Sequence, residues 1–110
     1  MNNISPFRAM HRRPAAHYIA LLLPTEMGEW RVLFPDLKEC EARAFTVHDA
    51  TYAATTALAR CAGVAGVNLP LPRSLSQIES DKDWFRANGI ALSETVVTMV
   101  PLWPAADHRS

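Results

Sequence analysis

Tyr18-Ile-Ala-Leu-Leu-Leu23 is the stretch on which the fold turns. It is the longest apolar run in the chain and far shorter than the roughly 20 residues a membrane span requires. A strand sends alternate side chains to opposite faces, so an amphipathic strand needs only one apolar row. Here both rows are apolar, the pattern of a strand covered on both sides. The reading is a first strand from His17 to Leu23, placed inside its sheet. Outward from it, Pro24 to Gly28 supplies turn residues. Glu29 to Phe34 then alternates, with Trp30, Val32 and Phe34 on one face and Glu29, Arg31 and Leu33 on the other. This predicts a second strand, hairpin-paired to the first. Pro35 has no N–H to donate and ends it.

Pro35 to Glu39 reads as a loop and Cys40 to Phe45 as a short third strand, whose Glu41 and Arg43 suit a sheet edge. Thr46 opens a helix. Its hydroxyl can accept from the free N–H groups of the first turn, and Asp49 complements the helix dipole. Val47 to Ala62 lacks proline and glycine, and Val47, Ala50, Ala54, Ala57, Leu58 and Cys61 recur at helical spacing. Gly63 or Gly66 ends the helix. The prolines of Leu69-Pro-Leu-Pro72 force an extended connector. Ser74 or Ser76 caps a second, shorter helix within Leu75 to Asn88, with a break near Ser80-Asp81 and a stop at Asn88-Gly89. The β-branched run Thr95-Val-Val-Thr-Met-Val100 marks a last strand, Ser93 to Leu102. The expected class is α+β, ordered β-β-β-α-α-β. A four-stranded mixed β-sheet carries the main helix on one face, and the last strand runs parallel to the first. Residues 1–14 read as a flexible N-terminal arm, 15–103 as a single domain and 104–110 as a flexible tail.

Bulk composition narrows the function classes. The 110 residues are 49% hydrophobic and 20% charged, with 11 basic and 11 acidic residues. That length fits one domain with a sizeable core. A formal net charge of zero argues against an extended phosphate-binding surface. It also offers little protection against self-association, so a homo-dimer or higher oligomer is expected. Cys40 and Cys61 match no zinc or CxxC spacing and read as reduced thiols, with Cys40 the nearer to the surface. Arg8, Arg12 and Arg13 precede the apolar run, but no small-residue cleavage site follows it. The chain is read as cytoplasmic, with no membrane association, cofactor or metal expected.

The ordered series of segments resembles the HicB-like antitoxin family. Tyr18-Ile-Ala-Leu-Leu-Leu looks like the family's opening strand, and Trp30-Arg-Val-Leu-Phe-Pro-Asp-Leu like its second strand and following loop. Cys40 stands where the family often has a cysteine. Thr46-Val-His-Asp-Ala50 is similar to its Thr-x-x-Glu-Ala helix start, and Leu69-Pro-Leu-Pro-Arg-Ser74 to its proline-spaced link. Ser74-Leu-Ser-Gln-Ile, then Asp81-Lys-Asp, resembles the short helix before the final strand. The resemblance covers about His17 to Leu102. It implies a degenerate ribonuclease-H-like fold without nuclease activity, and a HicA-type mRNA-cleaving toxin as partner, bound and masked. The chain departs from the pattern at Glu39, where a glycine is usual, and in the few acids of its first helix. Nor does a DNA-binding segment follow the last strand, so direct DNA binding is not expected.

The residues point away from catalysis. A two-metal nuclease needs carboxylates converging on its ions, and a ribonuclease-H-like site needs one on the central strand, where this chain has none. Nothing orients a Cys40–His48 pair, and Ser74 and Ser76 read as caps. His11, His17 and His108 are scattered and read as surface residues. The candidate partner-binding residues are the acids Asp36, Glu39 and Glu41, which complement a basic partner, and the large aromatics Trp84, Phe85 and Trp103. Each aromatic is either core filling or an interface anchor. Two readings follow: an antitoxin that neutralises a HicA-type toxin by occlusion, or an orphan homo-oligomeric scaffold or ligand-binding module with no toxin partner.

Overall fold

The computed structural model describes residues 13–104. The arm 1–14 and the tail 104–110 therefore lie almost wholly outside the described residues. Strand β1 (Ala16–Pro24) is followed by β2 (Trp30–Leu33), β3 (Glu41–Ala44), helix α1 (Val47–Ala65), two short helices α2 (Leu75–Glu79) and α3 (Lys82–Asn88), and strand β4 (Val96–Leu102). The sheet order is β3-β2-β1-β4, so the doubly apolar strand is interior. Leu21, Leu22 and Ala20 are completely buried.

Every neighbouring pair in the sheet is antiparallel. The expected mixed sheet, with the last strand parallel to the first, is corrected by the register Tyr18↔Val100 and Leu22↔Val96. The reason lies in the connection. After two antiparallel steps β3 runs in the direction of β1, and the 19-residue α1, about 28 Å long, carries the chain back to where β1 begins. One such crossover would deliver a parallel strand. The segment that follows crosses the sheet a second time, over its other face, and β4 enters from the opposite end.

Alternation along β1 sorts the core into two layers. Tyr18, Ala20 and Leu22 pack with Val32, Phe34 and Val100 against Ala50, Ala54, Ala57 and Leu58 of α1. Ile19 and Leu21 pack with Leu33 against Ile78, Phe85 and Ile90 of the returning segment. The main helix thus covers one face as expected, and the short helices cover the other, which is why β1 is apolar on both. The small alanine row lets α1 lie close to the sheet, where β3 contributes only Ala42 and Ala44 to that layer.

Local chemistry sets the ends of the helices. The Thr46 hydroxyl accepts from the Asp49 N–H at 3.0 Å, and Gly66, at φ 57° and ψ −126°, takes a positive-φ backbone open to glycine and closes α1. Ser74 and Gln77 form a reciprocal capping box on α2. Ser80 ends that helix, and Asp81 caps α3 through the Trp84 N–H. Gly89, at φ 64°, terminates α3. A 3-10 turn at Leu92–Glu94 delays β4 to Val96. No described helix is long and apolar enough to cross a membrane.

Candidate partner-binding site

The loop from Phe34 to Cys40 is wound tightly by two backbone bonds. The Leu37 N–H donates to the Phe34 carbonyl at 3.0 Å and the Cys40 N–H to the Leu37 carbonyl at 2.9 Å. Leu37 and Cys40 turn inward onto the α1 layer, so Lys38 and Glu39 are left facing solvent. Cys40, expected nearer the surface, is buried at 2% exposure. Its thiol donates to the Ala57 carbonyl at 3.3 Å, so it makes no pair with the exposed His48.

Asp36 also turns inward. Its side chain is 5% exposed and is held by Arg73. One carboxylate oxygen accepts from the Arg73 backbone N–H at 2.8 Å, and the other from Arg73 Nε at 2.5 Å. Arg73 Nη1 donates onward to Asp81 at 3.0 Å, whose second oxygen caps α3 at the Trp84 N–H. This Asp36–Arg73–Asp81 relay fastens the start of the returning segment to the loop after β2. The bond to Asp36 holds the Arg73 guanidinium charged more firmly than usual, and Asp81 reinforces this. The Arg73 bond, then the Trp84 N–H, holds the Asp81 carboxyl below its ordinary value. The Tyr18 hydroxyl donates to the Pro70 carbonyl and ties the connector to β1.

Of the three acids, only Glu39 and Glu41 face solvent. Glu41 lies 3.4 Å from Arg31, and Glu29 lies 3.4 Å from Arg43. Exposed pairs of this kind contribute little stability, and a partner can displace them cheaply. The aromatics separate too. Phe85 is a core residue at 9% exposure, with Trp84 against it edge-to-face at 5.0 Å. Trp84 is half-buried, and Trp103 is 44% exposed beyond β4, at the opposite edge of the sheet from Glu41.

The structure therefore brings Glu41 and Trp84 together. With Lys38 and Asn88 they line a cleft of about 330 Å³ floored by Leu33 and Phe34. A larger cleft, about 530 Å³, lies on the other side of the same loop. Asp36, Lys38 and Glu39 line it together with Cys40, Arg60, Cys61 and Val64. Lys38 borders both. Sequence reasoning missed Arg73, the residue that positions the loop. Its one signal was a lone cation in the proline-spaced connector of a chain whose Phe-Pro-Asp loop holds an unpaired acid.

Burial, with contact from Cys61 second, pushes the Cys40 thiol up from 9.0 to about 12. Burial, then the charge of Asp36, raises the Tyr18 hydroxyl as well. The fold prefers both groups protonated. Their contribution is whole at pH values where the unfolded chain is also protonated, below 9 for the thiol. It declines as pH rises from there toward about 12, because only the unfolded chain ionises freely. The urea midpoint is expected to fall through this alkaline window, and a Cys40→Ala chain to fall less steeply. A wild-type midpoint that is flat across the window excludes the effect.

No family model matches the sequence, and no curated protein matches it. Solved structures do. The N-terminal domain of the Burkholderia pseudomallei antitoxin HicB superposes with a TM-score of 0.58 at 11% identity, over 83% of this chain and 98% of that one. A chain of the HicA3 and HicB3 toxin–antitoxin complex superposes with a TM-score of 0.57 at 21% identity, over 80% and 99%. The four-stranded sheet flanked by helices is the arrangement these chains share with it. In architecture, then, the chain is HicB-like, with the fold of an antitoxin N-terminal domain.

Proposed function

We propose that this chain is an antitoxin that binds a HicA-type toxin and neutralises it by covering the surface with which the toxin meets RNA. The observation that supports this most is the match, over 80% of this chain and 99% of that one, to a chain of a HicA3 and HicB3 complex. The contact surface is the loop and cleft at the β3 edge. Glu39 and Glu41 supply solvent-facing negative charge, and Trp84 supplies an aromatic wall. Asp36 and Phe85 shape that surface from within rather than touching the partner. Rim acids of this kind act chiefly on association rate.

The test is co-expression with the product of the neighbouring reading frame as the candidate HicA-type toxin. The wild-type chain is expected to restore growth and co-purify with the toxin. A Glu39→Lys, Glu41→Lys double variant should associate about tenfold more slowly at low salt, with the difference shrinking as salt rises. Failure of the wild-type chain to bind or to restore growth overturns the function. Binding that is indifferent to the double variant moves the contact away from this edge.

A separate observation favours the homo-oligomeric reading. β4 lies at the sheet edge, and Val96, Val97 and Met99 are exposed, Met99 at 60%. On this reading light scattering finds a stable oligomer and no toxin binds.

A further inference from the structure

The chain's two cysteines are both free thiols, and the fold brings them together. Cys40 closes the loop after β2, and its Sγ donates to the Ala57 carbonyl. Ala57 and Cys61 are one turn apart on the same face of α1, so Cys40 sits over the turn that leads to Cys61. Cys61 is near enough to Cys40 to help raise its pKa. They differ in access: Cys40 is buried and Cys61 half-buried. Both line the cleft of about 530 Å³ beside Lys38 and Arg60, through which a small solute reaches Cys61 first.

We propose that Cys40 and Cys61 are the site of a reversible intramolecular disulfide, formed by a hydroperoxide, that locks the Phe34–Cys40 loop onto α1. With hydrogen peroxide, the Cys61 thiol gives up its proton and its sulfur attacks one oxygen. The O–O bond breaks, and the departing hydroxide takes up the proton as water, leaving a sulfenic acid on Cys61. The sulfur of Cys40 then attacks the sulfur of Cys61. The S–O bond breaks, and hydroxide leaves with the Cys40 proton as a second water. Two thiols lose two electrons and two protons, and one peroxide becomes two waters. The thiol of Cys40, held protonated by burial, is the slow second partner. The bridge ties down the loop that presents Lys38 and Glu39 and that anchors Arg73 through Asp36. The inference does not depend on the toxin reading.

The experiment treats the intact chain with hydrogen peroxide, blocks remaining thiols with N-ethylmaleimide under denaturing conditions, and maps peptides without reduction. The expected result is a monomer lighter by two hydrogens, unblocked at both cysteines, with the Cys40 and Cys61 peptides joined and released by dithiothreitol. Its urea midpoint should exceed that of the reduced chain. At the same dose Cys61→Ser should leave Cys40 free to be blocked, and Cys40→Ser should accumulate a dimedone-reactive sulfenic acid at Cys61. If Cys40→Ser does not fold by circular dichroism, the wild-type map and the Cys61→Ser chain decide. Both cysteines blocked after oxidation, dimers joined through Cys61, or Cys61 oxidised to sulfinic acid beside a free Cys40 would each overturn the proposal.

Discussion

Replacing Ile78 with alanine is expected to lower the unfolding free energy by about 3 kcal/mol. Ile78 is the completely buried residue of α2. It sits in the smaller of the two core layers, where Ile19, Leu21 and Leu33 of the sheet meet Phe85 and Ile90. Alanine removes three carbons and leaves a cavity. The short helices around it are too brief to be stable alone and cannot shift as a unit to fill it. For a domain of this size the loss corresponds to a fall in Tm of roughly 15 °C. The effect should be uneven. Amides of α2 and α3 should exchange faster than in the wild type, while those of α1, packed on the opposite face, change least. Urea titration and hydrogen exchange check both halves. A loss under about 1 kcal/mol would mean that the second face contributes little to holding the sheet.

Asp36→Ala should cost nearly as much, about 2–3 kcal/mol. The carboxylate is almost fully enclosed and accepts from two donors of Arg73. Alanine leaves the Arg73 backbone N–H without its acceptor and a half-buried guanidinium with Asp81 alone. The pair is partly open on the arginine side, at 33% exposure, which keeps the cost below that of a fully buried ion pair. Asp36→Asn retains an acceptor for the backbone N–H and should lose about half as much. Equilibrium unfolding of the two variants separates the charge from the hydrogen bond. Equal losses would assign the whole effect to charge.

Much of this fold could be read from side-chain chemistry. The double apolar row of His17–Leu23 placed β1 inside the sheet, and Thr46 and Asn88-Gly89 marked helix ends where the structure has them. Ser74 is the cap taken of the two serines offered, and the break near Ser80-Asp81 is a new helix capped by Asp81. What could not be read is non-local. Val96–Leu102 declares a strand through its branched residues, but nothing in it encodes direction. That depends on how often the preceding chain crosses the sheet. The Asp36–Arg73 bond joins residues 37 positions apart, and a single acid and a single base leave no periodic trace. For the same reason the sequence showed Asp36, Glu39 and Glu41 as one acidic cluster. The loop turn sends the first inward and the other two outward. Cys40 was misplaced because a lone cysteine beside two glutamates looks solvent-facing until the turn that inverts it is known.

The two margins of the sheet are unlike, and this limits how copies of the molecule can associate. β3 offers four residues, two of them charged, a margin that repels an incoming strand. β4 offers seven without a charge. Head-to-tail stacking would have to join the guarded margin to the open one, and is disfavoured at every step. Among edge-to-edge pairings, open-to-open about a two-fold axis is the least opposed, although Pro101 has no N–H to give it, and it would consume both open margins at once. A pair joined that way would leave only its guarded margins free, so this route of strand pairing would stop at two chains.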